Sequence, residues 1–283
     1  MPIDPEKLLR FPIPSVRQKI TPSDASFYAL SIGMARDPAD RAQLPFVDPL
    51  AGPTVMPAMA LVVAHPGFWL GDPESGVDQV AVLHAGQSFE LFAPLPLDTE
   101  VESVTHITGL VDKGPGKPAL IFTSTDLSDV TGAHLARLDR TTFVRGGGGF
   151  GGAGALPATT QPLSPQGAPD LVVDLPTGPE QALLYRLNGD LNPLHSDPEM
   201  AAKAGFARPI LHGLCTMGVI VHALLRGHLG YRPELLNAVG LRFAAPVLPG
   251  ETIRTEIWND GAFRARVIER DTVVADQGWF FTR

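Results

Sequence analysis

The stretch His212 to Arg226, HGLCTMGVIVHALLR, constrains the fold more than any other part of the chain. Leu214, Met217, Ile220, Val221, Leu224 and Leu225 recur at helical spacing and leave little polar surface outside the two ends. A helix that is apolar on nearly every side has to be enclosed. The segments that follow can enclose it: Ala238 to Val247, Glu251 to Asn259, Ala262 to Glu269 and Thr272 to Thr282 all read as strands. Pro249-Gly250, Asp260-Gly261 and Asp271 supply the turns between them. Ile253, Thr255 and Ile257 alternate with Arg254 and Glu256, and Phe263, Ala265 and Val267 alternate with Arg264 and Arg266. One buried helix followed by an antiparallel meander predicts a sheet wrapped around a central helix.

The first half repeats this order. Ala93 to Val101, APLPLDTEV, resembles Ala245 to Ile253, APVLPGETI, and Pro53 to Leu61, PTVMPAMAL, sits about where Pro209 to Met217 sits in the second half. Strand-like segments at Val80 to Phe92, Val101 to Leu110, Ala119 to Leu127 and His134 to Val144 complete the parallel. Recurrence at an offset of roughly 150 residues suggests internal duplication. The expected fold is α+β, a double hot-dog with two antiparallel sheets each around a central helix. Residues 1–145 form the first half, 146–169 a Gly/Pro-rich linker and 170–283 the second half, because GGGGFGGAGALPATTQPLSPQGAP sustains neither a helix nor a central strand.

The second half alone contains YRLNGDLNPLHSD, Tyr185 to Asp197. Asp190 and His195 are five residues apart, which on a continuous helix would place them about 140° apart on different faces. Pro193 disfavours helical geometry at Asn192 and lacks an N–H, so a loop is expected that turns both side chains toward one point. A short helix is expected over Gln181 to Leu187, and another from Pro198, capped by Ser196 or Asp197, to Gly205. Gly213 opens the buried helix, where free N–H groups and the positive end of the dipole would meet a carbonyl oxygen. Taken singly, an Asp after Gly, a His before a cap and a Gly at a helix start are each ordinary structural residues. The compound pattern, running on through Pro198, Gly205, Phe206 and PILHG (209–213), is not.

Composition narrows the remaining classes. Charged residues make up 18% and hydrophobic residues 44% of 283, with no apolar run of the length a bilayer needs. The net charge of −8 and the lack of a Lys/Arg-rich run speak against nucleic acid. Cys215, the only cysteine, can form no intrachain disulfide or cysteine-based metal site and reads as a buried small residue; His222 reads as a core or interface group. Neither terminus carries an export or peroxisomal address, so a cytoplasmic protein is expected.

On QALLYRLNGDLNPLHSDPEMAAKAGFARPILHGLCTMG, with VLHAGQSFELFAPLP, VDKGPGKPAL, GGGGFGG and LRFAAPVLPGETIRTEIW, the chain resembles the MaoC-like, hydratase 2 family of (R)-specific enoyl-CoA hydratases. The resemblance implies a double hot-dog whose second half supplies catalytic Asp190 and His195, with the Gly213 amide on the thioester oxygen. It places His84, Ala85, Lys113, Asn192 and Phe243 at the substrate and implies a first half that makes room for bulky acyl chains. The implied reaction is reversible hydration of a trans-2-enoyl-CoA to a (3R)-3-hydroxyacyl-CoA, without metal or redox cofactor, in a homodimer. Dehydration of carrier-protein thioesters uses the same residues; a thioesterase or a noncatalytic acyl-CoA-binding protein are the readings of another class. The chain departs from some relatives at His84-Ala85-Gly86-Gln87, where those have His-Gly-Glu-Gln, and at Asp48, which only approximately matches an acidic residue of the first half.

Overall fold

A computed structural model describes residues 2–151, 165 and 167–283. Most of the expected linker, 152–164 and 166, therefore lies outside the described residues.

All four strand segments expected in each half are strands. In the first half β1 (Val16–Lys19), β2 (Val82–Leu91), β3 (Glu100–Asp112), β4 (Ala119–Asp129) and β5 (His134–Val144) form, and in the second β6 (Leu171–Pro176), β7 (Leu236–Phe243), β8 (Thr252–Ile257), β9 (Ala262–Val267) and β10 (Thr272–Thr282). The helices are α1 (Pro5–Leu9), α2 (Pro22–Ser31), α3 (Leu44–Val47), α4 (Gln181–Tyr185), α5 (Pro198–Lys203) and α6 (Gly213–Leu224). Strand order in the single ten-stranded sheet is β1-β3-β4-β5-β2-β7-β10-β9-β8-β6. Read inward from each edge, the first half runs 1-3-4-5-2 and the second 6-8-9-10-7, so the two halves match strand for strand. They join where β2 pairs antiparallel with β7, with Ser88 opposite Gly240. The two expected sheets are thus continuous with one another.

Edge strands β1 and β6 carry no sequence signal of the kind that marks the others. VRQK is mostly exposed, and LVVDLP shows one buried position. Strand alternation is a core-facing pattern, and an edge strand with little core face does not display it.

Helix α6 is the predicted central helix: ten of its twelve residues, Cys215 to Leu224, are buried. It packs against β6 and β8, and a π turn over Leu225–Leu229 extends it. The first half differs from expectation. Its counterpart to α6 is a 3-10 helix, Pro57–Leu61. Pro53 and Pro57 break the run of N–H donors, and Pro66-Gly67 follows closely, so PTVMPAMAL cannot propagate an α-helix. Helix α2, started by a reciprocal Thr21/Asp24 capping box, covers part of the shared core instead. Its Ser31 carbonyl accepts from the Cys215 thiol, and its Ser31 hydroxyl accepts from the Asn188 amide at 2.9 Å. One apolar cluster containing Tyr28, Phe89, Met217 and Phe263 runs through both halves.

Where the first half lacks a long helix, the inner face of β2 to β5 borders a narrow, partly open cavity of about 40 Å³. Its walls include Leu61 and Val63 from the segment that replaces the helix and Leu214 from the first turn of α6.

Candidate active site

The loop that carries Asp190 is built from local hydrogen bonds. Helix α4 gives way to a 3-10 turn, Arg186–Asn188, which Gly189 ends at φ 116°, a conformation open to glycine and costly for other residues. Asp190 Oδ1 then accepts the Asn192 N–H at 3.1 Å, and Asn192 Oδ1 accepts the Leu194 N–H at 3.0 Å, capping a second 3-10 turn over Pro193–His195. The expected loop is therefore two short turns with Pro193 opening the second. Asp197 caps α5, with Pro198 at its first position, and α5 ends before Gly205.

These turns bring Asp190 and His195 together and add a residue that spacing alone did not single out. Side-chain donor atoms of Asp190, His195 and His212 lie within 4.8 Å of one another. The His195 and His212 rings stack at 3.7 Å between centroids, 27° between planes. His195 Nδ1–H donates to the Ile210 carbonyl at 2.8 Å, and this bond leaves Nε2 as the lone-pair nitrogen. His212 donates from Nε2 to the main-chain carbonyl of Asp190 at 3.2 Å, tying α6 to the Asp190 loop. The Tyr185 ring also lies against His212, tilted by 49° at 5.1 Å between centroids.

The charge states follow from the surroundings. Burial pushes the imidazolium of His195 down, outweighing the hydrogen bond to Ile210 and the Asp190 charge, so the ring is neutral at pH 7. His212 is pushed down further, to about 3, by burial and by His195 beside it. Burial alone would raise Asp190, but in the acid range where the rings of His212 and His195 take up protons their charge, with the Asn192 N–H, outweighs it and holds the carboxyl below its ordinary range. A carboxylate acceptor and a neutral imidazole acceptor thus face one small space. The same three donors meet the spacing of a cation site, and they would be the residues to hold one.

Gly213 opens α6, so helix geometry leaves its N–H without an intrahelical acceptor. A Cβ on Gly213 would stand 3.3 Å from Phe243 Cζ, at the end of β7. Phe243 in turn meets the His84 ring edge-on at 4.9 Å between centroids. His84 donates from Nε2 to Gln87 Oε1 at 3.1 Å, with the Gln87 amide committed to the Ser88 and Asp139 carbonyls. Burial, then Arg140, push His84 well down, so this ring is also neutral. Ala85 is the extra residue of a β-bulge between His84 and Gly86. His84, Phe243, Gly213 and His212 thus form a continuous wall across the junction of the halves.

Asn192 stands beside Asp190 with its side chain engaged as a cap. Lys113 is placed apart, exposed on the turn between β3 and β4, where its N–H donates to the Pro118 carbonyl. That turn is locked by Asp112, whose carboxylate accepts from Gly114, Gly149 and Gly151. The glycine run 146–151 therefore folds back over the Lys113 turn. Asp48 caps a 3-10 turn over Pro49–Ala51 and is outside the cluster. Cys215 is buried, its thiol pushed up to about 12, which removes the thiolate a nucleophile requires. His222 is a core residue bonded to the Tyr231 hydroxyl at 3.2 Å.

Two first-half residues lie close enough to act on Asp190 electrostatically and have no local signature: His65 and Arg140. Only tertiary structure brings them to the second-half motif. PILHG did carry His212, but only as one position of the block, with no role of its own.

Two family descriptions divide the chain as the sheet does. Residues 19–146 match the MFE-2 hydratase 2 N-terminal domain, and residues 160–277 match the MaoC like domain. Enoyl-CoA hydratase ChsH3 of Mycobacterium tuberculosis is 40% identical over 92% of this chain and 91% of its own length. Enoyl-CoA hydratase 2, peroxisomal, of Arabidopsis thaliana is 36% identical over 94% and 92%. Among solved structures, a MaoC-like dehydratase from Phytophthora capsici superposes with a TM-score of 0.86 at 30% identity, covering 99% of this chain and 98% of that one. With its strand-for-strand duplication and these relatives along its whole length, the chain belongs to the MaoC-like, hydratase 2 family.

Proposed function

We propose that this protein hydrates trans-2-enoyl-CoA thioesters to (3R)-3-hydroxyacyl-CoA and catalyses the reverse dehydration. The observation that supports this most is the pairing of an ionised Asp190 with a neutral, correctly oriented His195 beside the free N–H of Gly213. Relatives named enoyl-CoA hydratase supply the substrate class.

In this reading one water donates a hydrogen bond to each of the Asp190 carboxylate and His195 Nε2. As the water oxygen bonds to C3, its proton passes to one member of the pair and the C2–C3 π electrons move onto the thioester oxygen. Gly213 N–H stabilises that oxygen, and the enolate collapses as C2 takes a proton from the pair on the same face. Positioned acid/base groups contribute about 10² to 10⁴-fold each, and one oxyanion donor roughly 3 to 4 kcal/mol. The reading calls for no metal or redox cofactor. It also carries a homodimer and a cytoplasmic setting as proposals; no described helix is long and apolar enough to cross a membrane.

Incubation with enoyl-CoAs of graded chain length, following loss of the conjugated double bond, tests the reaction. Coupling the product to (R)- and (S)-specific dehydrogenases tests its hand. Release of free thiol without a 3-hydroxyacyl product would replace hydration by thioester hydrolysis.

A further inference from the structure

The first-half cavity is not lined as a simple hydrocarbon sleeve. Strand register sets Gln87 of β2 beside Arg140 of β5, and Arg140 beside Thr123 of β4, so a polar row crosses three strands. All three line the cavity, with Thr105, Thr125 and His65 near them and Leu61, Val63 and Leu138 supplying apolar wall. Most of these polar groups are already engaged. Gln87 is bonded through both ends of its amide, Thr105 and Thr125 bond each other at 2.8 Å, and His65 Nδ1 accepts the Gly67 N–H.

Arg140 is the charged group among them, and it is not engaged. Its Nε is buried without a hydrogen-bond partner, and among the described residues no carboxylate forms an ion pair with it. Of the other arginines several are paired on the outer surface, as in Arg242–Asp276 and Arg254–Asp174. The Asp190 charge reaches Arg140 without bonding it, so the guanidinium, which keeps its charge at all working pH values, is left with a buried donor that a further anion would satisfy. Its planar fork matches a carboxylate or a phosphate through two parallel hydrogen bonds, and of these the group an acyl chain carries at its far end is a carboxylate.

We propose that Arg140 is a specificity residue that receives a carboxylate carried on the acyl chain of the substrate, so that the preferred class is the CoA monothioester of a dicarboxylic enoic acid. The proposal rests on the hydratase reading for the other end of the substrate. Leu214, next to Gly213, lines the same cavity, so a chain whose thioester oxygen meets Gly213 has its continuation directed between α6 and the Arg140 row. Leu61, Val63 and Leu138 supply the apolar lining that the intervening methylenes would meet.

The test uses the full-length protein and two measurements. Turnover is compared for trans-2-enedioyl-CoAs and matched trans-2-enoyl-CoAs of six to twelve carbons, and binding for the saturated dioyl- and acyl-CoAs, which cannot be hydrated. At the best-fitting length the wild type is expected to favour the dicarboxylic member by about 30-fold or more in both kcat/KM and Kd. Because Arg140 also acts on Asp190, Arg140→Leu is read through the ratio between the two substrate classes, which it is expected to erase or reverse in both Kd and kcat/KM; Arg140→Lys is expected to keep part of the ratio. Equal affinity for both classes at every length, or an Arg140→Leu effect that lowers both equally, overturns the proposal. The latter outcome would mean that Arg140 acts only through the field it exerts on Asp190. Absence of turnover with either series, alongside an Arg140-dependent preference in binding, would instead count against the hydratase reading and leave Arg140 as the carboxylate receptor.

Discussion

His212 stacks on His195 at 3.7 Å between ring centroids and spends its Nε2–H on the main-chain carbonyl of Asp190. A single side chain from the start of α6 thereby fixes the height of Asp190 and the plane of His195, the two residues of the proposed acid/base pair. This explains how a loop of two short turns holds an acid/base pair without a surrounding helix or strand. His212 Nδ1 is buried without a partner, so His212 touches the pair only by stacking and through the backbone. We therefore assign it a positioning role. His212→Gln, which retains an amide N–H, is expected to lower kcat by about 10-fold and leave KM nearly unchanged. His212→Ala is expected to lose more, and a fall in KM affinity without loss of kcat would remove the assignment.

Asp190→Asn keeps the shape of the loop, because the amide oxygen still accepts the Asn192 N–H, but it cannot take a proton. Hydration should fall by about 10² to 10⁴-fold with the thermal midpoint within a few degrees of wild type. His195→Gln should fall by a similar factor. Since the two act on one water, the double variant should be little worse than either single one. Full additivity, measured as kcat/KM in the same assay, would show that they do not share a water.

The buried imidazoles predict a direction for stability against pH. His212 sits at about 3 and His222 at about 4 in the folded protein, both depressed from about 6.5 in the unfolded chain. As pH falls below 6.5 the unfolded chain binds protons that the folded one refuses, so stability present above 6.5 is lost progressively toward those lower values. Each group contributes a slope of up to about 1.4 kcal/mol per pH unit within its window. Urea midpoints should decline between pH 6.5 and 4, and His222→Gln should flatten the decline. In the same range kcat/KM should drop as His195 takes a proton, with the acid limb centred below 6.5 because burial depresses that ring. A midpoint above 6.5 would be inconsistent with a neutral His195 acting as acceptor.

Much of this arrangement was legible in the sequence because it is local. The apolar α6, the alternating strands and the Gly-Asp…Asn-Pro…His turns each follow from residues a few positions apart. The duplication was legible too, as an ordered recurrence of short segments. What escaped depends on long-range packing. In HLARLDRTTFV alternation puts Arg140 on the face of Leu138 and Val144 and Arg137 on the other, where it pairs with Asp126, but the neighbours that leave Arg140 without an ion pair, Gln87 and Thr123, come from strand register alone. The first-half helix was overread because Pro57 and Pro66-Gly67 outweigh the resemblance of PTVMPAMAL to its second-half counterpart. His212 carried a motif position but no visible partner, since stacking on His195 requires the chain to return over seventeen residues.

Gly213 has a packing reason and a chemical one, and they can be separated. A methyl at this position would stand 3.3 Å from the Phe243 ring, so Gly213→Ala must displace either Phe243 or the first turn of α6. Loss of about 10² to 10³-fold in kcat is expected if the Gly213 N–H holds the thioester oxygen. Combining Gly213→Ala with Phe243→Leu should restore thermal stability by making room, while kcat stays low because a side chain still occupies the approach to the N–H. Recovery of kcat together with stability would reduce Gly213 to a packing residue.

The donor spacing of Asp190, His195 and His212 offers a contrasting use as a cation site, and the two uses predict opposite responses to chelation. Protein dialysed against EDTA should retain full hydratase activity, because the proposed proton transfers need only the water. Added Zn²⁺ should inhibit reversibly, since coordination would consume the Asp190 carboxylate and the His195 Nε2 lone pair that the water requires. Inhibition should weaken as pH falls and protons compete for His195, and it should be lost in His195→Gln. Loss of activity on chelation, with recovery on adding back a metal, would overturn the metal-free reading.

Lys113 is tested through its turn. If the exposed ammonium meets a CoA phosphate, Lys113→Ala should raise KM for enoyl-CoA by about 3 to 10-fold with kcat unchanged, and the difference from wild type should shrink as salt screens it. Asp112→Ala leaves Lys113 in place but removes the acceptor for the Gly114, Gly149 and Gly151 amides, freeing the glycine run from the turn. Its KM should rise in the same direction, but without the salt dependence, because what is lost is the geometry of the turn and not its charge. A shorter thioester that lacks the phosphates, such as an enoyl-pantetheine, should be insensitive to Lys113→Ala. If that substrate loses as much as the CoA ester does, Lys113 acts on the fold of the β3–β4 turn and not on the phosphate.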